Sequence, residues 1–261
     1  MNTVIVIPAR LGSSRFPGKP ASLILGKQLL HRTWLIAKKV KDVDEVLVTT
    51  DDLSIRDLAE SFGAKVIMTN SHCQNGTERV FSALGNLKAH PQIAINLQGD
   101  AVLTPPWVIQ SLVHAIQKDP TIQVATAATQ LDWQKYEDFR QSKKEGQTSG
   151  TTVVFDQQQN ALYFSKAVIP FLRETGIQTP PVYRHIGLYA YRASYLAKYV
   201  SLQPTPLETA EKLEQLRFLE NGIPIRIILV DYRGRTHWSV DHPNDIQKVE
   251  QIIKAEGELI E

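Results

Sequence analysis

The chain has 261 residues, of which 43% are hydrophobic and 21% are charged, which is enough for one sizeable core but hardly for two. Its 29 Lys and Arg residues against 27 Asp and Glu residues give a formal charge of +2. This balance argues against nucleic acid as a partner, because nucleic-acid-binding proteins usually carry a large basic excess. The single cysteine, Cys73, excludes an internal disulfide and fits a reducing compartment. No apolar run approaches the length of a membrane span, so we expect a cytoplasmic protein without membrane insertion.

Short β-branched runs alternate with segments of helical spacing in the first half of the chain. Such alternation predicts a mostly parallel sheet, joined by right-handed crossovers and covered by helices on both faces. The predicted strands span residues 3–7, 45–49, 65–68, 93–97 and 123–128. The predicted helices begin near residues 28, 53, 77 and 106.

The pattern changes after about residue 131. A polar stretch at 141–150 precedes two strand-like runs, 151–155 and 161–164, and the polar residues between the runs predict a β-hairpin. The predicted elements that follow are an extended run at 186–191, a helix over 207–220, a strand at 225–230 and a helix from 243. We therefore predict a single α/β domain over residues 1–261, with a Rossmann-like doubly wound sheet and an antiparallel insertion at about 149–192.

The loop after the first strand, ARLGSSRFPGKP over residues 9–20, is rich in groups that bind phosphate. It contains two glycines for close backbone approach, two hydroxyl donors and three cations, namely Gly12, Gly18, Ser13, Ser14, Arg10, Arg15 and Lys19. The composition predicts a triphosphate site, although a solvated basic turn has the same composition. The spacing is not that of a Walker A loop, and the chain has no Gly-x-Gly-x-x-Gly fingerprint, which argues against a nicotinamide-dependent enzyme.

Several motifs resemble one known family in their order and over nearly the whole chain. They are IPAR (7–10) with RFPGKP (15–20), NGTER (75–79), NLQGD (96–100), ALYFS (161–165), RHIGLYAY (184–191), QPTPLE (203–208) with LEQLR (213–217), and VDHP (240–243). The chain resembles the 3-deoxy-manno-octulosonate cytidylyltransferase family, also called CMP-Kdo synthetases, where Kdo is the sugar acid. The resemblance implies a fold of the nucleotide-diphospho-sugar transferase type. It also implies CMP transfer from CTP to the anomeric hydroxyl of Kdo for lipopolysaccharide synthesis, release of pyrophosphate, Mg2+ as cofactor, and a homodimer.

Two aspartates are candidates for holding this metal ion. Asp100 follows a predicted strand, and Asp241 lies at another strand-to-helix turn. Mg2+ prefers one or two protein carboxylates together with substrate oxygens. The resemblance implies that both aspartates bind Mg2+ and that Arg10 and Lys19 complete the catalytic set. From the sequence pattern alone, either aspartate would also fit as a turn or helix-cap residue.

The resemblance further implies two groups of substrate-binding residues. The CTP group consists of Pro8, Ala9, Arg10, Ser13, Arg15, Lys19, Asn75, Gly76, Arg79 and Gln98. The sugar-acid group consists of Gln98, Arg173, His185, Tyr189, Glu214 and Gln215, with Arg173 as a candidate partner of the substrate carboxylate. The pattern alone leaves other roles open: a helix cap at 75–79, packed strand residues for His185 and Tyr189, and solvated helix residues for Glu214 and Gln215.

Three positions depart from the family pattern. Ala101, Thr152 and Lys166 stand where the family usually has Glu, Lys and Arg. An ammonium in place of a guanidinium changes bidentate recognition of a carboxylate, so an amino-substituted Kdo such as 8-amino-Kdo, or a nonulosonic acid, is an alternative substrate. A protein of the same fold that binds CTP without releasing pyrophosphate is an alternative from a different functional class.

Overall fold

The computed structural model describes residues 2–12, 16–73, 75–174 and 176–261. In chain order the strands are β1 (Thr3–Pro8), β2 (Leu23–Ile24), β3 (Lys27–Gln28), β4 (Glu45–Thr50), β5 (Lys65–Met68), β6 (Ile93–Leu97), β7 (Val124–Gln130), β8 (Thr151–Phe155), β9 (Ala161–Ser165), β10 (Tyr183–Arg192) and β11 (Arg226–Leu229). The helices are α1 (Leu29–Lys38), α2 (Leu53–Ser61), α3 (Gly76–Gly85), α4 (Pro106–Lys118), α5 (Trp133–Lys144), α6 (Ala193–Ser201), α7 (Pro206–Glu211), α8 (Leu216–Glu220) and α9 (Asp245–Glu256), with a short 3-10 helix at Lys19–Ala21.

Nine of the described strands form one sheet, in the order β11-β7-β10-β6-β1-β4-β5, with the hairpin β8–β9 joined to β10. Strand β10 is antiparallel to both of its neighbours, β6 and β7, whereas the other neighbours in this order are parallel. Strands β2 and β3 form a separate two-stranded hairpin. The predicted α/β fold, with its mostly parallel sheet and antiparallel hairpin, is confirmed.

Strand β1 shows why the central strands consist almost entirely of apolar residues. Its side chains alternate between two cores, because successive residues of a strand face opposite sides of the sheet. Ile5 and Ile7 pack in the cluster that includes apolar residues of α1, α2 and α4, whereas Val4 and Val6 pack in the cluster that includes residues of α3, α6 and α8. Burial on both faces removes the alternation of polar and apolar residues that a half-exposed strand would show.

The sheet has a gap on one side of β10. Residues Leu188 to Arg192 pair with β6, and residues Tyr183 to His185 pair with β8 on the same side. Strand β6 ends before the position where β8 begins, and the register of β10 against β7 shifts between Ile186 and Tyr189. The gap therefore opens at the carboxyl end of β6, where parallel sheets bind their ligands.

Three helical regions differ from the sequence prediction. The predicted single helix over 207–220 is wrong: α7 ends at Glu211, the capping residue Lys212 has a φ of 54° in the left-handed region, and α8 begins only at Leu216. Helices α5 and α6 were not predicted; α5 is strongly polar and buries only Tyr136 and Phe139. Within the described ranges, no helix is long and apolar enough to cross a membrane.

Candidate active site

Two connected cavities lie at the carboxyl ends of the parallel strands. The larger has a volume of about 1090 Å³ and the smaller about 130 Å³. Both are lined by Arg10, Asn75, Gly76 and Gln98. These four residues come from the loop after β1, the start of α3 and the loop after β6, so three chain segments define the boundary between the cavities.

The smaller cavity brings together most of the predicted CTP residues. It is lined by Pro8, Ala9, Arg10, Cys73, Asn75, Gly76, Arg79 and Gln98. Ser13 and Arg15, which were also predicted, lie outside the described residues. Cys73 was not predicted as part of a site, and nothing in its spacing indicated it. Seven predicted CTP residues from separate segments thus share one small enclosure.

Arg79 is held rigidly at the wall of the smaller cavity. Its side chain is buried, and its Nη1 atom lies 3.1 Å from Asp51 Oδ1 and donates to Thr69 Oγ1 at 3.0 Å. Asp51 and Thr69 directly follow β4 and β5. The ends of two parallel strands therefore fix the position of this guanidinium.

Gly76 allows helix α3 to begin close against the loop after β6. A Cβ atom at this position would lie 3.1 Å from the Gln98 Nε2 atom. The Asn75 side chain accepts a hydrogen bond from the Glu78 amide at 2.9 Å and so caps the helix. The helix-cap interpretation of Asn75 is therefore correct, and the same residue also lines both cavities.

Lys19 joins the two segments that carry the predicted metal ligands. Its ammonium donates to Asp100 Oδ2 at 2.5 Å and to the Val240 carbonyl oxygen at 2.9 Å. The following turn is fixed by Asp245, whose carboxylate accepts hydrogen bonds from the amides of Asp241 and His242 at 2.8 and 2.7 Å. Since an ammonium has three donors, one N–H of Lys19 remains for a phosphate oxygen.

The donor atoms around Lys19 suit a hard divalent cation. A carboxylate oxygen of Asp100 and the carbonyl oxygen next to Asp241 already converge on one cationic nitrogen. The described residues contain no cluster of three or more His, Cys, Asp or Glu side chains that could hold a metal. Mg2+ needs no such cluster when substrate phosphates supply its other ligands, so the assignment of Asp100 and Asp241 to this ion stays a prediction.

The larger cavity contains five of the six residues predicted for the sugar acid, namely Gln98, His185, Tyr189, Glu214 and Gln215. Arg173 is exposed and does not line the cavity, so the structure does not bring it together with the other five. Thr152 does not line the cavity, although its neighbour Thr151 does: Thr152 is buried, and its hydroxyl donates to the Ala167 carbonyl at 2.7 Å.

His185 and Tyr189 lie side by side on β10, with ring centroids 5.5 Å apart. The His185 Nε2 atom is 2.9 Å from Thr126 Oγ1, and the ring packs edge-on against Phe164. Burial lowers the pKa of His185 to about 3, so the imidazole is neutral at physiological pH. A neutral ring in this place can exchange hydrogen bonds with a sugar hydroxyl.

The break between α7 and α8 places Glu214 and Gln215 at the cavity wall. Lys212, in its left-handed conformation, ends α7, and the two residues therefore lie in the turn rather than on a helix. Glu214 Oε2 and Gln215 Nε2 are buried without a hydrogen-bond partner. Burial raises the pKa of Glu214 to about 7. Buried polar atoms normally have partners, so these two atoms indicate a polar ligand.

Several residues of the larger cavity were not predicted, and two of them have unpaired polar atoms. Arg184 and His237 line it, and the Arg184 Nε and His237 Nδ1 atoms are buried without hydrogen-bond partners. The signal for Arg184 was its place in the RHIGLYAY motif, directly before His185. His237 had no comparable signal. The polar segment 146–151 also lines this cavity.

The fold and the cavities define a nucleotide-binding α/β protein with its ligand crevice at the carboxyl ends of parallel strands. The family model described as cytidylyltransferase matches residues 4–227. The 3-deoxy-manno-octulosonate cytidylyltransferase of Maricaulis maris is 51% identical over 260 residues, covering 100% of both chains. The enzyme of the same name from Syntrophotalea carbinolica is 40% identical over 263 residues, covering 98% of this chain and 100% of the relative. The chain belongs to the cytidylyltransferase family and, within it, to the 3-deoxy-manno-octulosonate cytidylyltransferases.

Solved structures agree with this assignment. A CMP:2-keto-3-deoxy-manno-octonic acid synthetase complexed with CTP matches with a TM-score of 0.86 and 35% identity, covering 98% of this chain and 100% of that chain. A 4-diphosphocytidyl-2C-methyl-D-erythritol synthase from Anaerococcus prevotii has a TM-score of 0.61 at 13% identity, covering 97% of this chain and 96% of that chain. The second match concerns the fold alone.

Proposed function

We propose that the protein transfers CMP from CTP to the anomeric hydroxyl of Kdo and releases pyrophosphate. The main support is the smaller cavity, in which seven predicted CTP residues from separate segments meet. It opens into a larger cavity with unpaired polar groups suited to a sugar. The names of the relatives, at up to 51% identity over the full chain, support the same substrate pair.

CTP binds across the boundary between the two cavities. The cytosine enters the smaller cavity, where Arg79 and the backbone near Gly76 face its polar edge. The triphosphate lies along the loop after β1, where Arg10 and the third N–H of Lys19 neutralise phosphate oxygens. Fixed cations at this position also stabilise the pyrophosphate as it leaves.

The sugar acid occupies the larger cavity beside the α-phosphate. Its C2 hydroxyl gives up its proton to solvent water, its oxygen forms the new bond to the α-phosphorus, and the bond from that phosphorus to the bridging oxygen breaks, so that pyrophosphate leaves with the electron pair. Asp100 and Asp241 would hold Mg2+, which would neutralise phosphate charge and lower the pKa of the attacking hydroxyl. Glu214, Gln215 and His185 orient the sugar through hydrogen bonds to its hydroxyls. Positioning of this kind supplies much of the rate in phosphoryl-group chemistry.

The decisive experiment measures pyrophosphate release from CTP with Kdo and with 8-amino-Kdo, offered separately, with Mg2+ and after its removal by a chelator. We expect release with Kdo and an Asp100→Ala variant at least about 1000-fold slower, because it loses a metal carboxylate and the partner of Lys19. The control is Asp57→Ala, whose carboxylate is exposed and forms an ion pair with its neighbour Arg56.

The other outcomes would contradict this proposal in distinct ways. Release with 8-amino-Kdo alone would assign the amino sugar as substrate. CTP binding without release from either acid would favour a non-catalytic nucleotide-binding protein. Near-normal turnover by Asp100→Ala at saturating Mg2+ would remove Asp100 from the metal site.

We propose in addition that the protein acts as a homodimer in the cytoplasm. Two large apolar side chains in the region of the antiparallel insertion support a dimer contact there: Leu162 is 62% exposed and Phe171 is 88% exposed. The single cysteine fits a reducing compartment. Analytical ultracentrifugation of the full chain tests the dimer.

A further inference from the structure

Arg184, which is half-buried, differs from the buried arginines of the described chain. Arg32, Arg79 and Arg217 are all buried, and each pairs with a carboxylate, that of Glu258, Asp51 and Glu208 respectively. The Arg184 guanidinium forms no ion pair or hydrogen bond with another described residue, and its Nε atom is buried. It lines the larger cavity.

The contacts recorded for Arg184 among the described residues include no carboxylate. The guanidinium lies against the Phe139 ring, 5.3 Å from its centroid, and close to Gly150, where a Cβ atom would be 3.6 Å from Nη2. The nearby ammonium of Lys143 donates to the carbonyls of Ser149 and Gly150. Enclosing a cation without a counter-charge costs free energy, so this corner of the cavity favours an anion.

A second unpartnered group faces the same corner. His237 lines the larger cavity, its Nδ1 atom is buried without a partner, and its ring packs edge-on against Tyr232. Burial and the neighbouring Arg184 lower the pKa of His237 to about 3, so the ring is neutral. A guanidinium and a neutral imidazole together supply several hydrogen-bonding atoms and one net positive charge.

We infer that Arg184, assisted by His237, binds the carboxylate of the acidic substrate. This inference rests on the proposed function and deepens it by assigning the acid-recognition group. A planar guanidinium matches a carboxylate in charge and in bidentate geometry. Arg173, the arginine suggested by the sequence, is exposed and outside the cavity.

Arg184 and its neighbour His185 both line the larger cavity, although they are consecutive residues of β10. Neighbouring residues of a regular strand point to opposite faces, yet both line this cavity. The ring of His185 contacts Phe164 and Tyr189 in one core, whereas Tyr232, beside His237, belongs to the other. The cavity therefore reaches both faces of the sheet through the gap beside β10. Arg184 binds the acid on one face, and His185 binds the sugar hydroxyls on the other.

The test compares binding of Kdo with binding of its C1-amide, which has the same shape but no charge. Calorimetry in the presence of a non-hydrolysable CTP analogue measures both dissociation constants for the wild type, Arg184→Gln and the matched control Arg173→Gln. We expect the wild type and Arg173→Gln to prefer the acid by about 100-fold, because a charge-assisted bidentate pair is lost in the amide. In Arg184→Gln the preference should fall below about 10-fold.

Arg184→Lys separates charge from geometry, because it keeps the cation and loses the guanidinium fork. Its preference for the acid should lie between those of the wild type and Arg184→Gln. An unchanged dissociation constant for the CTP analogue verifies that each variant is folded.

Three results would overturn the inference. They are an acid preference in Arg184→Gln as large as that of the wild type, a loss of this preference in Arg173→Gln, and no binding of Kdo to the wild type. Arg184-dependent binding of Kdo without pyrophosphate release would overturn the proposed function and leave the inference intact.

Discussion

The two cavities hold their arginines in opposite ways. In the smaller cavity Arg79 has its carboxylate and hydroxyl partners built in, from the ends of β4 and β5. In the larger cavity Arg184, Glu214, Gln215 and His237 have buried polar atoms without partners. In the smaller cavity, the proposed nucleotide site, Arg79 is therefore paired within the protein, whereas the larger cavity, the proposed sugar site, has polar atoms that a ligand would pair.

This difference separates stability from recognition. Removing one partner of an enclosed ion pair leaves an uncompensated charge, which destabilises the fold. Removing a group that has no partner in the free protein breaks no ion pair, so it should leave the free energy of unfolding nearly unchanged and weaken ligand binding instead. Matched substitutions in the two cavities should consequently have opposite effects on thermal stability.

The largest effect is expected for Arg79→Met. Loss of the guanidinium leaves Asp51 without its ion pair and Thr69 without its donor, which should cost about 3 kcal/mol of unfolding free energy. Differential scanning calorimetry should show a fall in Tm of about 10 °C for a chain of this length. A variant as stable as the wild type would contradict the view that the smaller cavity is internally paired.

A pH-dependent effect of intermediate size is expected at Glu214. Its pKa is raised by burial from 4.5 to about 7, so between these values the unfolded chain ionises while the folded chain retains the proton. The contribution of Glu214 to stability therefore falls as pH rises from about 4.5 to about 7 and is constant above that range.

Glu214→Gln removes this titration. Between pH 5 and pH 8 the Tm of the wild type should fall relative to that of Glu214→Gln by about 5 °C. Glu60→Gln, an exposed control on α2, should titrate like the wild type. A constant difference between wild type and Glu214→Gln across this range would show that Glu214 ionises normally.

The smallest effect is expected for Arg184→Met in the absence of substrate. Replacing an enclosed, unpaired cation by an apolar side chain should leave Tm unchanged or raise it by about 3 °C. Kdo with the CTP analogue should then stabilise the wild type but not this variant, because only the wild type binds the acid. A loss of stability comparable to that of Arg79→Met would remove the contrast between the cavities.

The central strands could be predicted from the sequence, because strands buried on both faces consist of uninterrupted apolar runs. Strands β5, β6 and β8 match their predicted bounds, and the predicted ranges overlap all the other long strands. Helix α5 was not predicted because it buries only two side chains and shows no apolar stripe. The break at Lys212 was not predicted because no glycine or proline marks it, and a left-handed lysine is uncommon.

The site was predictable to the extent that its residues lie in motifs. The motif residues of the smaller cavity indeed line one enclosure. The arginine proposed to bind the substrate carboxylate could not be chosen from the sequence, because Arg173 and Arg184 are the same residue type. The two differ in the folded chain: the Arg184 guanidinium lines the larger cavity without a carboxylate partner among the described residues, whereas Arg173 is exposed outside it. This difference depends on packing and not on sequence spacing.

The placement of β10 has a consequence for synthesis of the chain. Strands β6 and β7 leave the ribosome well before β10, which must pair between them. Until it arrives, the nascent chain carries two open strand edges, which are sites for pairing with other chains. The same strand carries Arg184, His185 and Tyr189, so the step that closes the sheet also brings these three residues to the larger cavity.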